Sequence, residues 1–353
     1  MRLHRSDLSR PGIRRRRSGK GFRYVQPDGS PLRDEDTAAR IRGLAIPPAW
    51  RGVWICPRPD GHIQAIGVDG AGRRQYLYHS QWRRARDEEK HKRVAALGAI
   101  LPRLRARLRE QLDAPGLGRE RVLAAALRMI DRGVFRVGHE QYAEDNGSRG
   151  AATLLRDHVR IRRDELTFRF PAKGGAVATA TLPDEQLAAV LTALRRRRTA
   201  DPRLLAYRTA NGWRNVRAED VNERFKELAG EDFTVKDLRT WNATVLAAVG
   251  LGGTEPPSSQ RATKRAISAV LRDVADELGN TPAVARRSYV DPRVITAFTD
   301  GLTIRSAVRR VGQHGLNDDD TRAHLERAVL RLLRKAGQNA TAGAGCCRPQ
   351  RRR

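Results

Sequence analysis

The stretch GRRQYLYHSQWRRARDEEKHKRVAALGAI, residues 72–100, marks a change from one kind of secondary structure to another. Its first part, as far as Ser80, has the aromatic and polar residues that are typical of a short β-strand. From residue 83 to residue 113 the chain consists of charged helix formers, with a break expected at Pro102. The stretch therefore predicts that a sheet-containing segment is followed by a helical one.

The residues before this point repeat a pattern of short strands and turns. Between Gly21 and Gln81, β-like runs are separated by two Pro-Asp-Gly turns and one Asp-Gly-Ala-Gly turn. The segment DEDTAARIRGLAIPPAW predicts a short helix that ends at prolines. We therefore predict a small β-rich domain over residues 21–88, preceded by a loose basic arm over residues 1–20.

The residues after this point read mainly as helices. ELTFRFPAKGGAVATATLP, at 165–183, predicts a β-hairpin with a Gly-Gly turn, and the last helix is expected around 319–335. A larger, mainly helical domain is therefore predicted over residues 89–337, with the hairpin at about 165–182. Residues 338–353 are small, polar and basic, which predicts a disordered tail. The expected fold class is α+β.

The strongest bulk property of the chain is its positive charge. It has 69 Lys and Arg against 40 Asp and Glu, a net charge of +29, over 353 residues. Arginine bias in a high-GC genome would explain the preference for Arg over Lys, but not the deficit of acids. A surface this basic is expected to bind a polyanion, with an affinity that falls as salt rises.

Several classes of site and location find no support in the sequence. Cys56, Cys346 and Cys347 fit neither a zinc site nor a disulfide framework, which suggests a reducing compartment. No apolar run is long enough for a transmembrane helix, and the basic N-terminus lacks the apolar core of a secretory signal. Phosphate-loop, dinucleotide-binding and HExxH motifs do not occur. The acidic run at 318–320 is interpreted as a helix cap rather than a metal site.

Five segments carry the functional signal, and they are informative because they occur together in one order. They are IPPAWRGVWICPRPDGHIQAIGVDGAGRRQYLYHSQW (46–82), DRGVFRVGHEQYAEDNGSRGAATLLRDHV (131–159), FRFPAKGGA (168–176), VKDLRTWNATVLAA (235–248) and LGNTPAVARRSYVDP (278–292). Together they resemble the type IB DNA topoisomerases, in particular the compact bacterial and poxvirus-like branch. The resemblance covers roughly residues 12–335.

The resemblance implies five catalytic positions. It places the nucleophile at Tyr289 and the general acid at Lys173. Two catalytic arginines fall at Arg136 and Arg239. Asn280 falls at a position that is His in viral and nuclear relatives and often Asn in bacterial ones.

The resemblance also implies contacts to DNA outside the catalytic set. Arg286 and Arg287 are interpreted as supporting phosphate contacts. The implied phosphate contact in the catalytic domain is Tyr142, and the implied contacts of the N-terminal domain are Gln75, Tyr76 and Tyr78. The two N-domain tyrosines share one strand face, so plain sheet packing is the alternative interpretation.

Elementary chemistry agrees with this set of residues. The transition state of phosphodiester cleavage is stabilised mainly by positioning and by positive charge. Arginine donates bidentately and stays protonated, and a lysine among arginines releases its proton more readily. Nearby cations also favour the phenolate form of tyrosine. The resemblance therefore implies no metal ion and no cofactor, and resealing without ATP.

The resemblance implies a clamp-like, monomeric enzyme that acts on supercoiled double-stranded DNA largely independently of sequence, in the bacterial cytoplasm or nucleoid. A tyrosine recombinase shares the chemistry, but recombinases usually have HxxR where this chain has Lys236-Asp237-Leu238-Arg239. A non-catalytic nucleoid-binding protein would explain the charge but not Tyr289. The Pro171-Ala172 dipeptide before Lys173 departs from the glycine-containing turn of many relatives, so a differently placed lysine is one expectation.

Overall fold

A computed structural model describes residues 2–133, 135–172, 175–312, 316 and 318–344, without the side chains of Tyr142 and of residues 340–344. The chain divides into two compact units between Lys90 and His91. The first unit contains a five-stranded sheet, and the second is mainly helical. The predicted α+β class is confirmed.

The N-terminal unit is an antiparallel sheet with one helix. Its strands, in the spatial order β2-β1-β3-β4-β5, are β1 (Ile13–Ser18), β2 (Gly21–Val25), β3 (Arg51–Ile55), β4 (Ile63–Val68) and β5 (Arg74–Tyr78), and its helix is α1 (Glu35–Gly43). One face of the sheet packs Ile13, Val53 and Ile55 against Ile41 of α1. Strand alternation places these residues inward, and Asp34 caps α1 by accepting from the Thr37 amide at 2.8 Å.

The prediction of a separate basic arm over residues 1–20 is wrong for residues 13–18. This segment is β1, and it pairs with both β2 and β3. Ile13 is only 3% exposed, because it faces the core while the arginines that follow alternate between the two faces of the sheet. The run of four arginines in this segment has no apolar alternation that would indicate a strand. The strand forms because β2 and β3 supply its hydrogen-bonding partners.

The second unit contains most of the helices of the described chain, together with two small sheets. Its helices are α2 (Ser80–Asp113, which begins in the first unit), α3 (Arg119–Gly133), α4 (Glu140–Asn146), α5 (Glu185–Arg195), α6 (Ala218–Ala229), α7 (Val235–Gly253), α8 (Gln260–Leu278), α9 (Pro282–Ser288), α10 (Pro292–Thr299), α11 (Arg305–Val311) and α12 (Asp319–Ala344). Its strands are β6 (Val159–Arg162), β7 (Glu165–Pro171), β8 (Val177–Pro183), β9 (Ala206–Thr209) and β10 (Gly212–Asn215).

Helix α2 continues through Pro102, where a break was expected. Proline removes one backbone hydrogen bond from a helix interior. The residues on either side compensate, because Leu97, Leu101, Leu104 and Leu108 are all buried in the core of the second unit. Tertiary packing therefore outweighs the local preference for a break.

The sheets of the second unit extend the predicted hairpin. Strands β7 and β8 form it, and β6 pairs with β7 to make a third strand. A further hairpin, β9 with β10, was not predicted, although Asn211-Gly212, where the turn enters β10, is a strong turn signal. The last helix is longer than predicted: α12 continues to Ala344, so residues 338–344 are helical. The rest of the predicted tail lies outside the described residues.

A buried ionic network joins three helices of the second unit. Arg105 of α2 donates to Asp131 of α3 and to Glu326 of α12, each at 2.7 Å. Arg322 of α12 adds a hydrogen bond to Asp131 at 3.0 Å. Burial alone would raise the pKa of Asp131, but Arg105 and Arg322 hold it well below its usual range. The ion pair therefore stabilises the fold above pH about 4 and loses its effect as the pH falls.

Replacing Asp131 with asparagine will lower the free energy of unfolding of this unit by about 3–5 kcal/mol, because two buried guanidinium groups lose one of their two counter-charges and keep only Glu326. Chemical or thermal unfolding followed by circular dichroism measures the loss. Glu89→Gln is the matched control, since Glu89 pairs with Arg86 on the surface at 2.9 Å and should contribute less than about 1 kcal/mol. Equal effects of the two substitutions would contradict the prediction.

Among the described residues, no helix combines sufficient length with sufficient apolar character to span a membrane.

Candidate active site

The segment around Tyr289 is set by two short helices and their caps. Helix α8 ends at Leu278 and is capped by Gly279, whose φ of +57° is a left-handed conformation that glycine adopts readily. Helix α9 then runs to Ser288, and Tyr289 is its C-terminal cap. Asp291 is the N-terminal cap of α10 and Pro292 is its first residue, as the sequence predicted.

Tyr289 lies at a helix end, as predicted, but it is more buried than a simple surface position. Its side chain is 9% exposed, and the following residue, Val290, is fully buried. The guanidinium carbon of Arg239 lies 5.5 Å from the centre of the tyrosine ring. The nucleophile candidate is therefore held in a packed setting beside a cation.

Arg136 projects from a short segment that follows α3. The backbone carbonyl of Arg136 accepts from the Ala151 amide at 2.8 Å, and that of Val137 accepts from the Ala152 amide at 2.7 Å. The backbones at Gly138 and Gly150 approach closely. A Cβ on Gly150 would lie 2.6 Å from the Gly138 Cα and 2.6 Å from the Arg136 carbonyl oxygen. The glycines in this motif therefore allow two backbone segments to meet and to fix the arginine.

Arg239 projects from the first turns of α7 and is 5% exposed. Asp237 shapes this helix start, because its carboxylate accepts from the Thr234 amide at 3.0 Å in a capping box. Arg93 of α2 binds the same carboxylate through two nitrogens, at 2.9 and 3.2 Å. The turn that carries Arg239 is thus tied both to its own cap and to α2.

The C-terminal end of α8 holds both arginines. Arg239 Nη2 donates to the carbonyl of Leu278, and Arg136 Nη2 donates to the carbonyl of Gly279 at 3.3 Å. Arg136 Nη2 also donates to Asn280 Oδ1 at 3.1 Å. The last carbonyls of a helix carry partial negative charge, so they attract guanidinium groups. The end of α8 is therefore the platform that brings Arg136, Arg239 and Asn280 together.

The two arginines change the acidity of Tyr289. Burial alone would raise the tyrosine pKa, but the positive charges of Arg239 and Arg136, with their hydrogen bonds, bring it below its usual value. Burial and the charge of Arg136 lower the pKa of Arg239 to about 10, while Tyr289 opposes that change. Arg239 therefore remains protonated at neutral pH, and the phenolate of Tyr289 forms more easily than in free tyrosine.

These groups line a cleft of about 370 Å³ in the second unit. Its lining includes Arg136, Arg239, Tyr289, Lys236, His139, Ser148, Arg149 and Asn222. Lys236 belongs to the KDLR motif but had no predicted role. It precedes Arg239 by three residues, a spacing that places both side chains on one face of α7, so the sequence did contain a signal for Lys236.

Two predicted residues have side chains outside the described part of the structure: Lys173 and Tyr142. The backbone on either side of Lys173 is described. The Ala172 amide donates to the carbonyl of Ala176 at 2.7 Å, which closes the base of the hairpin turn. The Arg149 amide donates to the carbonyl of Pro171, also at 2.7 Å, so the base of this turn is joined to a residue that lines the cleft.

Arg286 and Arg287 lie in the last turn of α9, three and two residues before Tyr289, respectively. Both are exposed. Their placement is compatible with phosphate contacts beside the nucleophile.

In the N-terminal unit, Tyr76 and Tyr78 lie on β5 at an edge of the sheet. Each is 38% exposed, and their rings stack with centroids 6.1 Å apart, so the predicted shared face is confirmed. Gln75 directly precedes Tyr76, so strand alternation places it on the opposite face, where its side-chain amide donates to Asp69 at 2.9 Å. The structure therefore groups the two tyrosines but not Gln75 with them.

Arginines that the sequence analysis did not single out share the face of these tyrosines. Pairing across the sheet places Arg14 on the same side as Tyr76. Arg16 pairs with Arg23 further along this side, and both are exposed. The strand alternation in IRRRRS would have identified Arg14 and Arg16 if β1 had been recognised.

In the described part of the chain, no group of three or more His, Cys, Asp or Glu side chains is arranged to hold a metal ion. Asp318 caps α12 by accepting from the Thr321 amide at 2.8 Å, in agreement with the interpretation of the acidic run as a cap.

Comparison with protein families matches both units. Residues 21–69 match the family described as the N-terminal domain of bacterial DNA topoisomerase IB. Residues 79–305 match the family described as the catalytic core of eukaryotic DNA topoisomerase I.

Individual relatives agree with these matches. The chain is 31% identical to DNA topoisomerase 1B of Acanthamoeba polyphaga mimivirus, over 79% of this chain and 85% of the viral protein. It is 20% identical to DNA topoisomerase 1B of Vaccinia virus, over 67% of this chain and 72% of that protein. A solved structure of the XerH site-specific recombinase bound to its difH substrate aligns with a TM-score of 0.35 and 14% identity, over 56% of this chain and 51% of that one.

Proposed function

Because the chain belongs to the type IB DNA topoisomerases, and is therefore an isomerase that acts on DNA, we propose that it relaxes positive and negative supercoils through a transient single-strand break. One observation carries the proposal. Tyr289 shares a cleft with Arg136 and Arg239, and both cations lower its pKa against the effect of burial. A tyrosine in this setting is suited to attack a phosphodiester.

The proposed cleavage is a balanced exchange of two phosphoester bonds. The oxygen of Tyr289 attacks phosphorus and loses its proton to solvent. The bond from phosphorus to the 5′-oxygen breaks, and that oxygen takes a proton from Lys173. The products are a 3′-phosphotyrosyl bond and a free 5′-hydroxyl.

Relaxation and resealing follow from the same chemistry. While one strand is attached to Tyr289, the free 5′ end rotates about the intact strand and supercoils are lost. The 5′-hydroxyl then attacks phosphorus and returns its proton to Lys173, while the bond from phosphorus to Tyr289 breaks and the tyrosine oxygen takes a proton from solvent. Because one phosphoester is exchanged for another, resealing requires no ATP.

Each cation has a proposed part in the transition state. Arg136 and Arg239 bind the non-bridging oxygens, where negative charge accumulates, and their planar forks suit this geometry. Asn280 adds a neutral amide donor, which stabilises charge less than a protonated histidine would. Lys236 adds a further positive charge to the wall of the cleft.

Both units are proposed to contact double-stranded DNA. Tyr76 and Tyr78 provide an exposed aromatic surface, and Arg14, Arg16 and Arg23 add positive charge to the same face. Arg286 and Arg287 provide phosphate contacts beside Tyr289. Contacts of this type hold the DNA backbone without reading its bases, so we propose binding that is largely independent of sequence and strongly dependent on salt.

Plasmid relaxation in EDTA, without nucleotide, tests this function. We expect complete relaxation of both positively and negatively supercoiled plasmid by a monomer, as judged by gel filtration. Denaturation with SDS during the reaction should trap protein on a 3′ end, and mass spectrometry should locate the adduct on the peptide that contains Tyr289. A strict requirement for magnesium or ATP, or for two specific DNA sites, would contradict the proposal.

A further inference from the structure

The hydroxyl of Thr244 joins helix α7 to the segment that carries Tyr289. Thr244 is 1% exposed, and its Oγ1 accepts from the backbone amide of Asp291 at 3.1 Å. The same oxygen lies 3.3 Å from the carbonyl oxygen of Tyr289. We propose that Thr244 is a positioning residue that holds the nucleophile in register with Arg239. The proposal rests on the assignment of Tyr289 as the nucleophile.

The hydrogen bonds of this hydroxyl can be followed one by one. Its single proton can be donated to the carbonyl of Tyr289 or to that of Thr240, which is 2.9 Å away. Its lone pair receives the amide proton of Asp291. Because Asp291 is 1% exposed, water cannot readily replace the hydroxyl as an acceptor. Loss of the hydroxyl therefore leaves a buried amide without this acceptor.

The two contacts of Thr244 lie on either side of Val290, so they hold the backbone of the nucleophile segment rather than its ring. Thr244 follows Arg239 by five residues on one continuous helix, a rise of about 7.5 Å. Arg239 in turn lies beside the ring of Tyr289. One rigid helix thus carries both the catalytic arginine and the anchor for the backbone of the nucleophile.

Other contacts hold the start of α10 without this hydroxyl. The carboxylate of Asp291 accepts from the Arg293 amide at 2.9 Å and from the Arg293 side chain at 2.7 Å, and it lies 3.7 Å from His91 Nδ1. Loss of the Thr244 hydroxyl should therefore leave α10 folded and allow the Tyr289 backbone to shift. Attack in line with the departing oxygen is sensitive to such shifts, and a misplacement of about 1 Å can cost on the order of a hundredfold in rate.

Three substitutions of Thr244, by serine, alanine and valine, distinguish the effect of losing the hydroxyl from the effect of changed packing. Thr244→Ser and Thr244→Ala both remove the methyl group and differ only in the hydroxyl. Thr244→Val keeps the shape and removes the hydroxyl. Thr240 is the matched control, because it lies one turn earlier on α7, is also 1% exposed, and donates to the carbonyl of Lys236 at 3.1 Å. Among the described residues, the Thr240 hydroxyl bonds to the Lys236 carbonyl and not to the Tyr289 segment.

The measured quantity is the single-turnover rate of covalent adduct formation on a duplex oligonucleotide. We expect Thr244→Ala and Thr244→Val to slow this step by about tenfold to a hundredfold. Thr244→Ser should stay within about threefold of the unmodified protein, and Thr240→Ala within about twofold. DNA affinity, measured by fluorescence anisotropy with Tyr289→Phe added to each variant, should change by less than about twofold.

Three results would overturn the proposal: unchanged cleavage by Thr244→Ala and Thr244→Val, an equal loss in Thr240→Ala, or an equal loss in Thr244→Ser. If Thr244→Ala does not fold, Thr244→Val preserves the side-chain volume and decides the question. A general loss of stability would lower DNA affinity and cleavage together, whereas a positioning role lowers cleavage alone. Failure of the unmodified protein to form an adduct at Tyr289 would instead refute the proposed function.

Discussion

Replacing Tyr289 with phenylalanine will abolish covalent attachment to DNA and reduce plasmid relaxation by at least about four orders of magnitude, since removal of a nucleophile eliminates the covalent route. Phenylalanine keeps the ring that packs beside Arg239 and loses only the hydroxyl. The variant should therefore fold and bind DNA as the unmodified protein does. Relaxation is measured on agarose gels, and attachment is measured by SDS trapping.

Tyr207→Phe is the matched control for this substitution. Tyr207 is a tyrosine of the same unit, on β9, and it is 4% exposed. The same chemical change there should leave relaxation unaltered. If Tyr289→Phe still relaxed supercoiled plasmid, the assignment of the nucleophile would be wrong.

Replacing Arg239 with alanine will slow DNA cleavage by about a hundredfold to a thousandfold, the usual effect of removing one donor from a preorganised transition-state site. Arg239→Lys should lie between alanine and arginine, because lysine keeps the charge but loses the planar fork and its bond to the Leu278 carbonyl. Single-turnover cleavage of a duplex oligonucleotide measures both variants.

The pH dependence of cleavage gives a second readout of Arg239. The tyrosine must lose its proton to attack, so the rate rises with pH until the pKa of Tyr289 is passed. Arg239 lowers that pKa, so its removal should displace the rise to higher pH and allow part of the rate to return there. Arg239→Lys should displace it less.

Arg196→Ala is the control for the loss of charge, because Arg196 is exposed at the end of α5 and lies outside the cleft. Arg196→Ala should change the cleavage rate by less than about twofold. It should leave the pH at which the rate rises unchanged. An unshifted pH profile in Arg239→Ala would contradict the electrostatic role of this arginine, even if the rate fell.

Local features of the structure were predictable where the deciding residues are neighbours in sequence. Asp291 and Pro292 predicted the start of α10, because an N-terminal cap and a proline in the first turn act within a few residues. The same reasoning placed Tyr289 at a helix end. Strand β1 and the continuity of α2 through Pro102 were mispredicted, because distant partners stabilise both.

The candidate site was predictable in its residues but not in its arrangement. Tyr289, Arg136, Arg239 and Asn280 were identified from motifs whose order resembles a known family, and the structure brings these four together. Thr244 was not identified, because a threonine in the middle of a helix carries no local signal of a role. Its proposed role depends on an amide that lies 47 positions further along the chain.

By itself, the sequence determined the strand-to-helix change near Trp82, the caps around Tyr289, and the supply of cations for a reaction on a phosphodiester. Only the tertiary structure decided that the end of α8 holds both Arg136 and Arg239 and that Thr244 of α7 bonds to the backbone on either side of Val290. The physical reason is the range of the forces involved. Caps and turns are satisfied by groups a few residues away, whereas the guanidinium groups of Arg136 and Arg239 bind carbonyls that only folding brings within reach.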